Sequence, residues 1–258
     1  MPTFEHSGQR VYYEETGTGE PLLLLPGWGG SIDDVGTLRE ALASSYRVIS
    51  ADLPGSGKSM PQPRRYTPSY FQEDAAVFLA MLDAIGASPA HIVGFSDGGE
   101  YALLMSALKP EAVRSVVTWG AGGKLANIPE MTDAFHALVD APIPPLKDFS
   151  EYMKATYGEA NARVMVQSEA KALRAIIDGG CDISWSRAAG ISCPVLLITG
   201  EHDMFAPPSL VKEMAAAVES GEFIEAAGAG HAVHHERAEW FLATVIGWLA
   251  RRESRARA

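Results

Sequence analysis

Short apolar segments alternate with longer helical patterns along most of this chain, and this alternation limits its fold more than any other feature. Residues 22–25 and 195–198 are unbroken apolar runs bounded by turn residues, which is typical of strands buried on both faces of a sheet. The sequence therefore predicts an α/β fold with a mostly parallel central sheet flanked by helices. The predicted strands are residues 11–15, 22–25, 46–51, 91–95, 113–118, 193–199 and 222–224.

The alternation stops between Gly120 and Gly190. Three helical patterns lie in this stretch, near residues 129–139, 149–157 and 161–177, and it contains no strand-like run. A structureless loop of this length is uncommon inside a compact domain, so we expect a helical insertion. The predicted organisation is a core made of residues 1–120 and 191–258, with a helical cap at residues 121–190.

The charge balance argues against a nucleic-acid partner. The 258 residues carry 32 acidic and 21 basic side chains, a net charge of −11, whereas a phosphate-binding surface needs a basic stripe. The concentrated basic stretch at residues 251–257 is interpreted as a solvated C-terminus. Residues 1–10 lack the apolar core of a signal peptide, and no apolar run approaches the ~20 residues of a membrane helix. A cytoplasmic protein without membrane contact is therefore predicted.

The segment Gly94-Phe-Ser96-Asp-Gly98-Gly99 carries the strongest chemical signal. It fits the pattern G-x-S-x-G, and it lies between a predicted strand and a predicted helix at residues 99–108, which is the context that a nucleophilic serine on a sharp turn requires. Small residues at positions 94 and 98 let such a turn close without clashes. An ordinary turn in which Ser96 caps the helix is the alternative, so further residues have to decide.

A serine hydroxyl needs a base, and the base needs an acid that orients it. His231 follows a late strand in a small-residue loop, and Asp203 lies just beyond the strand at residues 193–199. The order Ser96, Asp203, His231 is the one expected of a nucleophile elbow of this kind. Glu201 is predicted to point elsewhere, and His234 and His235 are predicted to be surface residues.

Two backbone N–H groups are predicted to form an oxyanion hole. One belongs to Asp97, directly after the nucleophile, and the other to Trp28, in the loop after the strand at residues 22–25. Glycines at positions 27, 29 and 30 let that loop bring its backbone close to a substrate. The predicted substrate contacts are Gly27, Trp28, Asp97 and Trp119.

No cofactor or metal site is predicted. His231, His234 and His235 lack the spacing of convergent metal ligands. Residues 53–59 end in Gly-Lys-Ser like a phosphate-binding loop, but position 52 is Asp where that motif needs glycine, and Pro61 and Pro63 prevent the helix that must follow. The cysteines Cys181 and Cys193 are predicted to be free thiols.

The chain resembles the α/β-hydrolase superfamily over nearly its whole length. The elbow at Ser96, the loop at residues 26–30, residues 52–59, residues 200–203 and the Gly230-His231 pair follow one another in the family's order. The family usually has His where this chain has Pro26, which leaves the backbone donors of the loop intact. The resemblance implies an α/β-hydrolase fold in which the helical insertion is the variable cap that shapes substrate choice.

Within the superfamily, the elbow Ser-Asp-Gly-Gly is similar to that of the valacyclovir-hydrolase-like branch, with lactonases and proline iminopeptidases as broader relatives. In that branch the Asp after the nucleophile is associated with a substrate amino group. Asp97 can therefore either hold a cationic α-amino ester or contribute only its backbone. The cap residues that suggest an apolar pocket lining, or else simple helix packing, are Met131, Phe135, Phe149, Tyr152, Met153, Tyr157, Met165 and Trp185.

The predicted function is cleavage of a small carboxylic ester, thioester or lactone through an acyl-enzyme on Ser96. The same triad would support hydrolysis of a C–C bond or a cofactor-free haloperoxidase or perhydrolase activity, and a non-catalytic binding protein on the same fold is a further alternative. The acidic balance favours a small neutral or cationic substrate. We expect a monomer or a homodimer.

Overall fold

The computed structural model describes residues 2–126 and 129–256, with side chains at 2–126 and 132–252. Its centre is an eight-stranded sheet in the order β1-β2-β4-β3-β5-β6-β7-β8. The strands are β1 (Thr3–His6), β2 (Gln9–Thr16), β3 (Glu20–Leu25), β4 (Tyr46–Ala51), β5 (Ala90–Phe95), β6 (Val113–Trp119), β7 (Val195–Gly200) and β8 (Gly221–Ala226). The helices are α1 (Gly36–Leu42), α2 (Tyr70–Ala84), α3 (Asp97–Leu108), α4 (Pro129–His136), α5 (Lys147–Tyr157), α6 (Glu159–Asp178), α7 (Pro208–Ala217), α8 (Val233–Glu236) and α9 (Ala238–Ala256).

Strands β3 to β8 pair in parallel, whereas β1 and β2 run antiparallel at one edge. The mostly parallel sheet is the one predicted, but strand β1 was not predicted. It forms a hairpin with β2 through Ser7 and Gly8, which both have positive φ. Its side chains are mostly exposed, so it lacks the apolar run that marked the buried strands.

The sheet separates two apolar cores because successive side chains of a strand point to opposite faces. Leu23 and Leu25 of β3 pack in the larger core with α2, α3 and α7. Leu22 and Leu24 pack in the other core with α1 and α9. All four leucines are fully buried, which explains why β3 reads as an unbroken apolar run.

Helices α4, α5 and α6 lie between β6 and β7, in the segment predicted to form a cap. In the described part of this segment there is no strand; an isolated bridge joins Lys124 to Asp182. Buried side chains of α5 and α6, among them Met153 and Met165, belong to the larger core. The division into core and cap stays a prediction.

None of the described helices is both long and apolar enough to cross a membrane. The side chains of Met131, Arg255 and Arg257, which entered the sequence predictions, lie outside the described residues.

Candidate active site

Ser96 stands alone between β5 and α3 in a strained conformation. Its φ is +50° and its ψ is −118°, a region that side-chain-bearing residues rarely adopt. The turn is tight, because a Cβ atom at Gly94 would collide with the backbone of Gly98. The Ser96 N–H donates to the Trp119 carbonyl at 2.9 Å, and the Ser96 carbonyl accepts from Glu100 N–H at 3.0 Å. The backbone is thus held from both sides while the hydroxyl stays available.

The structure brings Ser96, His231 and Asp203 into one chain of hydrogen bonds. His231 Nε2 lies 3.0 Å from Ser96 Oγ, and His231 Nδ1 lies 2.9 Å from Asp203 Oδ2. With its Nδ1 proton donated to the carboxylate, the imidazole presents Nε2 as an acceptor toward the serine hydroxyl. These three residues come from the loops after β5, β7 and β8.

Asp203 is fixed by the loop that follows β7. The Asp203 side chain is fully buried, and its Oδ1 accepts the N–H groups of Phe205 and Ala206 at 2.9 Å each. Two backbone donors and the imidazole satisfy the buried oxygens, as a buried charge requires. Glu201 is exposed and accepts Gly228 N–H instead, so it points elsewhere as predicted.

The loop that carries His231 is held by Glu236, a residue that the sequence analysis missed. Its carboxylate accepts Gly230 N–H at 2.7 Å and Ala232 N–H at 3.2 Å, one on each side of His231. The rings of Phe95 and Phe205 flank the imidazole, each with its centroid 4.9 Å away. A glutamate in the first turn after a small-residue loop was the available sequence signal, because such a side chain caps N–H groups.

His234 is not a surface residue, and the prediction for it was wrong. Its Nδ1 accepts the Trp119 Nε1–H at 3.0 Å, and its ring lies 4.5 Å from that of Phe95. Burial, with His235 and His231 close by, lowers the pKa of His234 to about 3. His235 is exposed. Among the described residues, no group of three or more His, Cys, Asp or Glu side chains could hold a metal ion.

The loop at residues 26–31, which carries the predicted oxyanion donor Trp28 and is called the oxyanion loop, passes beside Ser96. A Cβ at Gly27 would lie 2.9 Å from the Phe95 ring and 3.4 Å from Ser96 Cβ, so only glycine lets the loop come this close. Among the described residues, neither Trp28 N–H nor Asp97 N–H has a hydrogen-bond partner. Asp97 is the first residue of α3, where N–H groups have no partner within the helix.

A cavity of about 560 Å³ opens above Ser96. Gly27, Trp28 and Asp97 line it, as three of the four predicted substrate contacts. Trp119, the fourth, does not line it: its side chain is fully buried on the opposite core and packs on Phe241. The strand turns after Trp119, so Gly120 reaches the cavity instead.

The predicted cap lining divides into two groups. Phe135 and Phe149 line the cavity and contact the Trp28 ring edge-on at 5.1 and 6.1 Å. The others with described side chains do not line it; they pack or bond elsewhere: Tyr152, Met153, Tyr157, Met165 and Trp185. Periodicity could identify apolar helix faces but could not say which residue of a face meets the cavity.

Asp97 and Glu100 of α3 and Glu169 of α6 bring three carboxyl groups to one wall of the same cavity. Tyr70 Oη lies 3.1 Å from Asp97 Oδ2 and 2.5 Å from Glu169 Oε1. A hydroxyl has one proton, so both contacts are hydrogen bonds only if one carboxyl group is protonated. Removal from water raises the pKa of Asp97 to about 7 and that of Glu169 well above its usual range.

Glu100 is the third of these carboxyl groups. It is buried and accepts the N–H groups of Gly122 and Gly123 at 2.9 and 3.1 Å. Burial raises the pKa of Glu100 to about 8 in spite of these two donors. The cavity also contains Lys124 and Glu236, so carboxyl groups outnumber lysine and arginine side chains along its described lining.

The chain matches a family model and is similar in sequence to several proteins named as hydrolases. Residues 20–180 match the family model described as alpha/beta hydrolase fold. The human protein named serine hydrolase BPHL is 26% identical over 212 residues, which cover 78% of this chain and 69% of that protein. A Burkholderia vietnamiensis protein named 2-hydroxy-6-oxononadienedioate/2-hydroxy-6-oxononatrienedioate hydrolase is 29% identical over 266 residues, covering 94% of this chain and 91% of that protein.

Solved structures agree at the level of architecture. The enol-lactonase from Burkholderia xenovorans superposes with a TM-score of 0.78 over 96% of this chain and 100% of that chain, at 22% identity. Identity this low indicates a shared fold and carries no information about the substrate.

Proposed function

The chain belongs to the alpha/beta hydrolase fold family, and from that premise we propose that it is a serine hydrolase that cleaves small carboxylic esters, thioesters or lactones. The family membership and the fold predicted from the sequence are confirmed. One observation carries the finer proposal: the hydrogen-bonded chain from Asp203 through His231 to Ser96, whose backbone is strained at the elbow.

Each group has a defined part in the proposed reaction. Ser96 Oγ attacks the carbonyl carbon while His231 Nε2 takes its proton, and Asp203 stabilises the imidazolium that forms. The N–H groups of Trp28 and Asp97 hold the developing oxyanion. His231 then protonates the leaving alcohol or thiol, and afterwards it activates a water molecule that releases the acid from Ser96.

A fluorophosphonate probe tests the nucleophile, because it reacts covalently with an activated serine. We expect labelling of the wild-type chain and none of Ser96→Ala, together with loss of at least about 10³-fold in esterase rate. A wild-type chain that is not labelled, or labelling that persists in Ser96→Ala, would contradict the proposal. The first outcome would favour the alternative of a non-catalytic binding protein.

The same triad also supports C–C bond hydrolysis and perhydrolase chemistry, so the bond cleaved needs its own test. The Burkholderia vietnamiensis relative is named for dioate substrates, whereas the cavity of this chain is lined by several carboxyl groups and Lys124. A dianion would find one lysine and no arginine among the described residues that line this cavity, which favours neutral or cationic esters. Rates on p-nitrophenyl esters, on a vinylogous 1,3-diketone, and on acetate with hydrogen peroxide separate the three activities.

We further propose that the substrate carries an ammonium group near its carbonyl. Such a group would donate hydrogen bonds to Asp97 and Glu169, which both contact the Tyr70 hydroxyl. Its positive charge would favour the ionised form of the carboxyl group that otherwise has to stay protonated there. A charge-assisted hydrogen bond of this kind adds about tenfold in rate. We expect kcat/KM to be about tenfold higher for an amino ester than for its deaminated analogue, and Asp97→Asn to abolish the preference. Equal wild-type values, or an unchanged ratio in Asp97→Asn, would refute it.

A further inference from the structure

One face of the cap helix α5 lies on the oxyanion loop. Residues 149, 153 and 157 are spaced by four positions, which places them on the same side of a helix. Phe149 contacts the Trp28 ring, and Met153 fills the space beside Gly29, where an added Cβ would lie 2.7 Å from its sulfur. The helix therefore packs on the two residues at the centre of the loop.

Tyr157, the last residue of α5, adds hydrogen bonds to this packing. Its hydroxyl donates to the Gly29 carbonyl at 2.8 Å and accepts the Gly57 N–H at 2.8 Å. Gly29 directly follows Trp28, so the accepting carbonyl lies two peptide units after the one that carries the proposed oxyanion donor. The tyrosine is 7% exposed, and burial raises its pKa to about 12, so it keeps its proton.

The second partner of Tyr157 belongs to the loop after β4, which is itself tied to the oxyanion loop. Asp52 accepts the N–H groups of Ile32 and Lys58, both at 2.7 Å. Asp52 therefore fixes the end of the oxyanion loop, whereas Tyr157 binds the middle of the loop through the Gly29 carbonyl. Gly29 and Gly57 both have positive φ, and in the oxyanion loop the Gly30 N–H donates to the Gly27 carbonyl at 3.1 Å, so Tyr157 adds a side-chain donor from outside that turn.

We infer that Tyr157 is a positioning residue for the oxyanion hole, so that the cap sets the rate of the chemical step as well as the choice of substrate. The inference rests on the proposed serine-hydrolase function. Without the hydroxyl, the Gly29 carbonyl loses its donor, the peptide unit between Gly29 and Gly30 is held less firmly, and the oxyanion loop can shift so that the Trp28 N–H no longer aims at the oxyanion.

The test compares Tyr157→Phe with Tyr152→Phe. The second variant removes a hydroxyl from the same helix, and that hydroxyl lies 3.4 Å from Asp34 Oδ2. With p-nitrophenyl butyrate we expect Tyr157→Phe to lower kcat about tenfold with KM changed less than about twofold, since a lost oxyanion donor costs more than a displaced one. Tyr152→Phe should stay within about twofold of wild type in both constants.

A pair of inhibitors separates positioning from general loosening. Hexyl trifluoromethyl ketone forms a tetrahedral oxyanion on the nucleophile, whereas the matching trifluoromethyl carbinol cannot. We expect Tyr157→Phe to weaken ketone inhibition about tenfold and to leave carbinol inhibition unchanged. Rates are normalised to the sites titrated by fluorophosphonate, so that any loss of folded protein is removed from the comparison.

The outcomes distinguish the two proposals. If the wild-type chain is not labelled by fluorophosphonate, the serine-hydrolase proposal fails. If it is labelled, but Tyr157→Phe matches wild type in kcat and in ketone inhibition, the positioning role is refuted. Equal weakening of ketone and carbinol binding would also refute it, because that result assigns Tyr157 a purely structural role in the cavity.

Discussion

At the scale of single residues, the three side chains of the proposed triad are held by three different means. Backbone strain and two backbone hydrogen bonds hold Ser96, and two backbone donors hold Asp203. The position of His231 depends on Glu236, because that carboxylate accepts the N–H groups of the residues before and after the histidine. The imidazole is thus the triad member whose position can be disturbed by changing one exposed side chain.

Substitution of Glu236 tests that dependence. We expect Glu236→Ala to lower kcat about tenfold with little change in KM, because the His231 loop loses two acceptors and the base leaves its attack geometry. Glu236→Gln keeps one oxygen acceptor, so its kcat should lie between those of the wild type and Glu236→Ala. Glu239→Ala, at an exposed glutamate of α9, serves as the control. Steady-state kinetics on one ester suffice, and a wild-type kcat in Glu236→Ala would contradict the role.

Glu100 gives a prediction about pH and stability. Its pKa of about 8 in the folded chain exceeds its ordinary value of 4.5, so between these pH values the folded state holds a proton that the unfolded state has released. Its contribution to stability therefore falls as pH rises through this window. Glu100→Gln keeps an acceptor for Gly122 and Gly123 but cannot ionise.

The measurement is the urea midpoint of both proteins from about pH 5 to about pH 9. We expect Glu100→Gln to gain stability relative to wild type as pH rises, because only the wild type must ionise a buried carboxyl group. Asp97 and the other titrating groups are common to both proteins, so they cancel to first order in the difference. A difference that does not change with pH would contradict the assignment.

At the scale of elements, the long loop between β4 and α2 is fastened by a buried ion pair. Arg64 donates to both oxygens of Asp74 on α2, at 2.6 and 2.7 Å, and to the Pro54 carbonyl at 2.8 Å. The side chains are 6% and 0% exposed. Tyr101 of α3 donates to the same carboxylate at 2.9 Å, so the pair joins the loop to two helices beneath the cavity.

Removal of one partner should cost more than removal of both charges. We expect Arg64→Met to lower the free energy of unfolding by about 3–5 kcal/mol, because Asp74 is left as an uncompensated buried charge. Arg64→Met combined with Asp74→Asn should recover part of that loss. Denaturant unfolding of the single and double variants measures both values. A double variant less stable than the Arg64→Met variant would refute this explanation.

At the scale of the whole molecule, loops that follow strands of the sheet supply the proposed reacting groups, and helices α4 to α6 of the predicted cap supply much of the cavity wall. Ser96, Asp203 and His231 follow strands of the sheet, whereas Phe135, Phe149, Glu169, Leu173 and Ile177 come from helices α4 to α6. Changes of cap side chains that stand clear of the oxyanion loop should therefore alter which ester fits, while the triad geometry stays the same.

Leu173 of α6 offers a matched pair of changes. Leu173→Ala enlarges the cavity and Leu173→Phe reduces it, so the preference for long over short acyl chains should rise in the first and fall in the second, by roughly tenfold each way. Values of kcat/KM for p-nitrophenyl acetate, butyrate and octanoate measure the preference. A shift in the same direction for both variants would contradict a wall position for Leu173.

Much of the fold was predictable because the apolar pattern of each buried strand matches its burial in the sheet. The buried strands β3 and β7 each contain an unbroken run of four apolar residues, 22–25 and 195–198, and the segment 121–190 is a long departure from the alternation of strands and helices. Strand β1 was missed because an exposed edge strand buries little. Trp119 was misplaced because the side on which a side chain lies at the end of a strand depends on the backbone turn that follows. His234 was misplaced because its burial depends on how the short helix α8 packs against Phe95 and Trp119, which the sequence pattern does not specify.

The sequence alone determined the kind of fold and the identity of the residues that could react, because strand–turn–helix context and chain order are local or linear properties. Only the tertiary structure decided which groups surround them. Tyr157 and Gly29 are separated by 128 positions, and Tyr70 and Glu169 by 99. Contacts of this kind leave no periodic or local signal, because they arise when helices of the insertion pack over loops and helices that the rest of the chain has placed around the sheet.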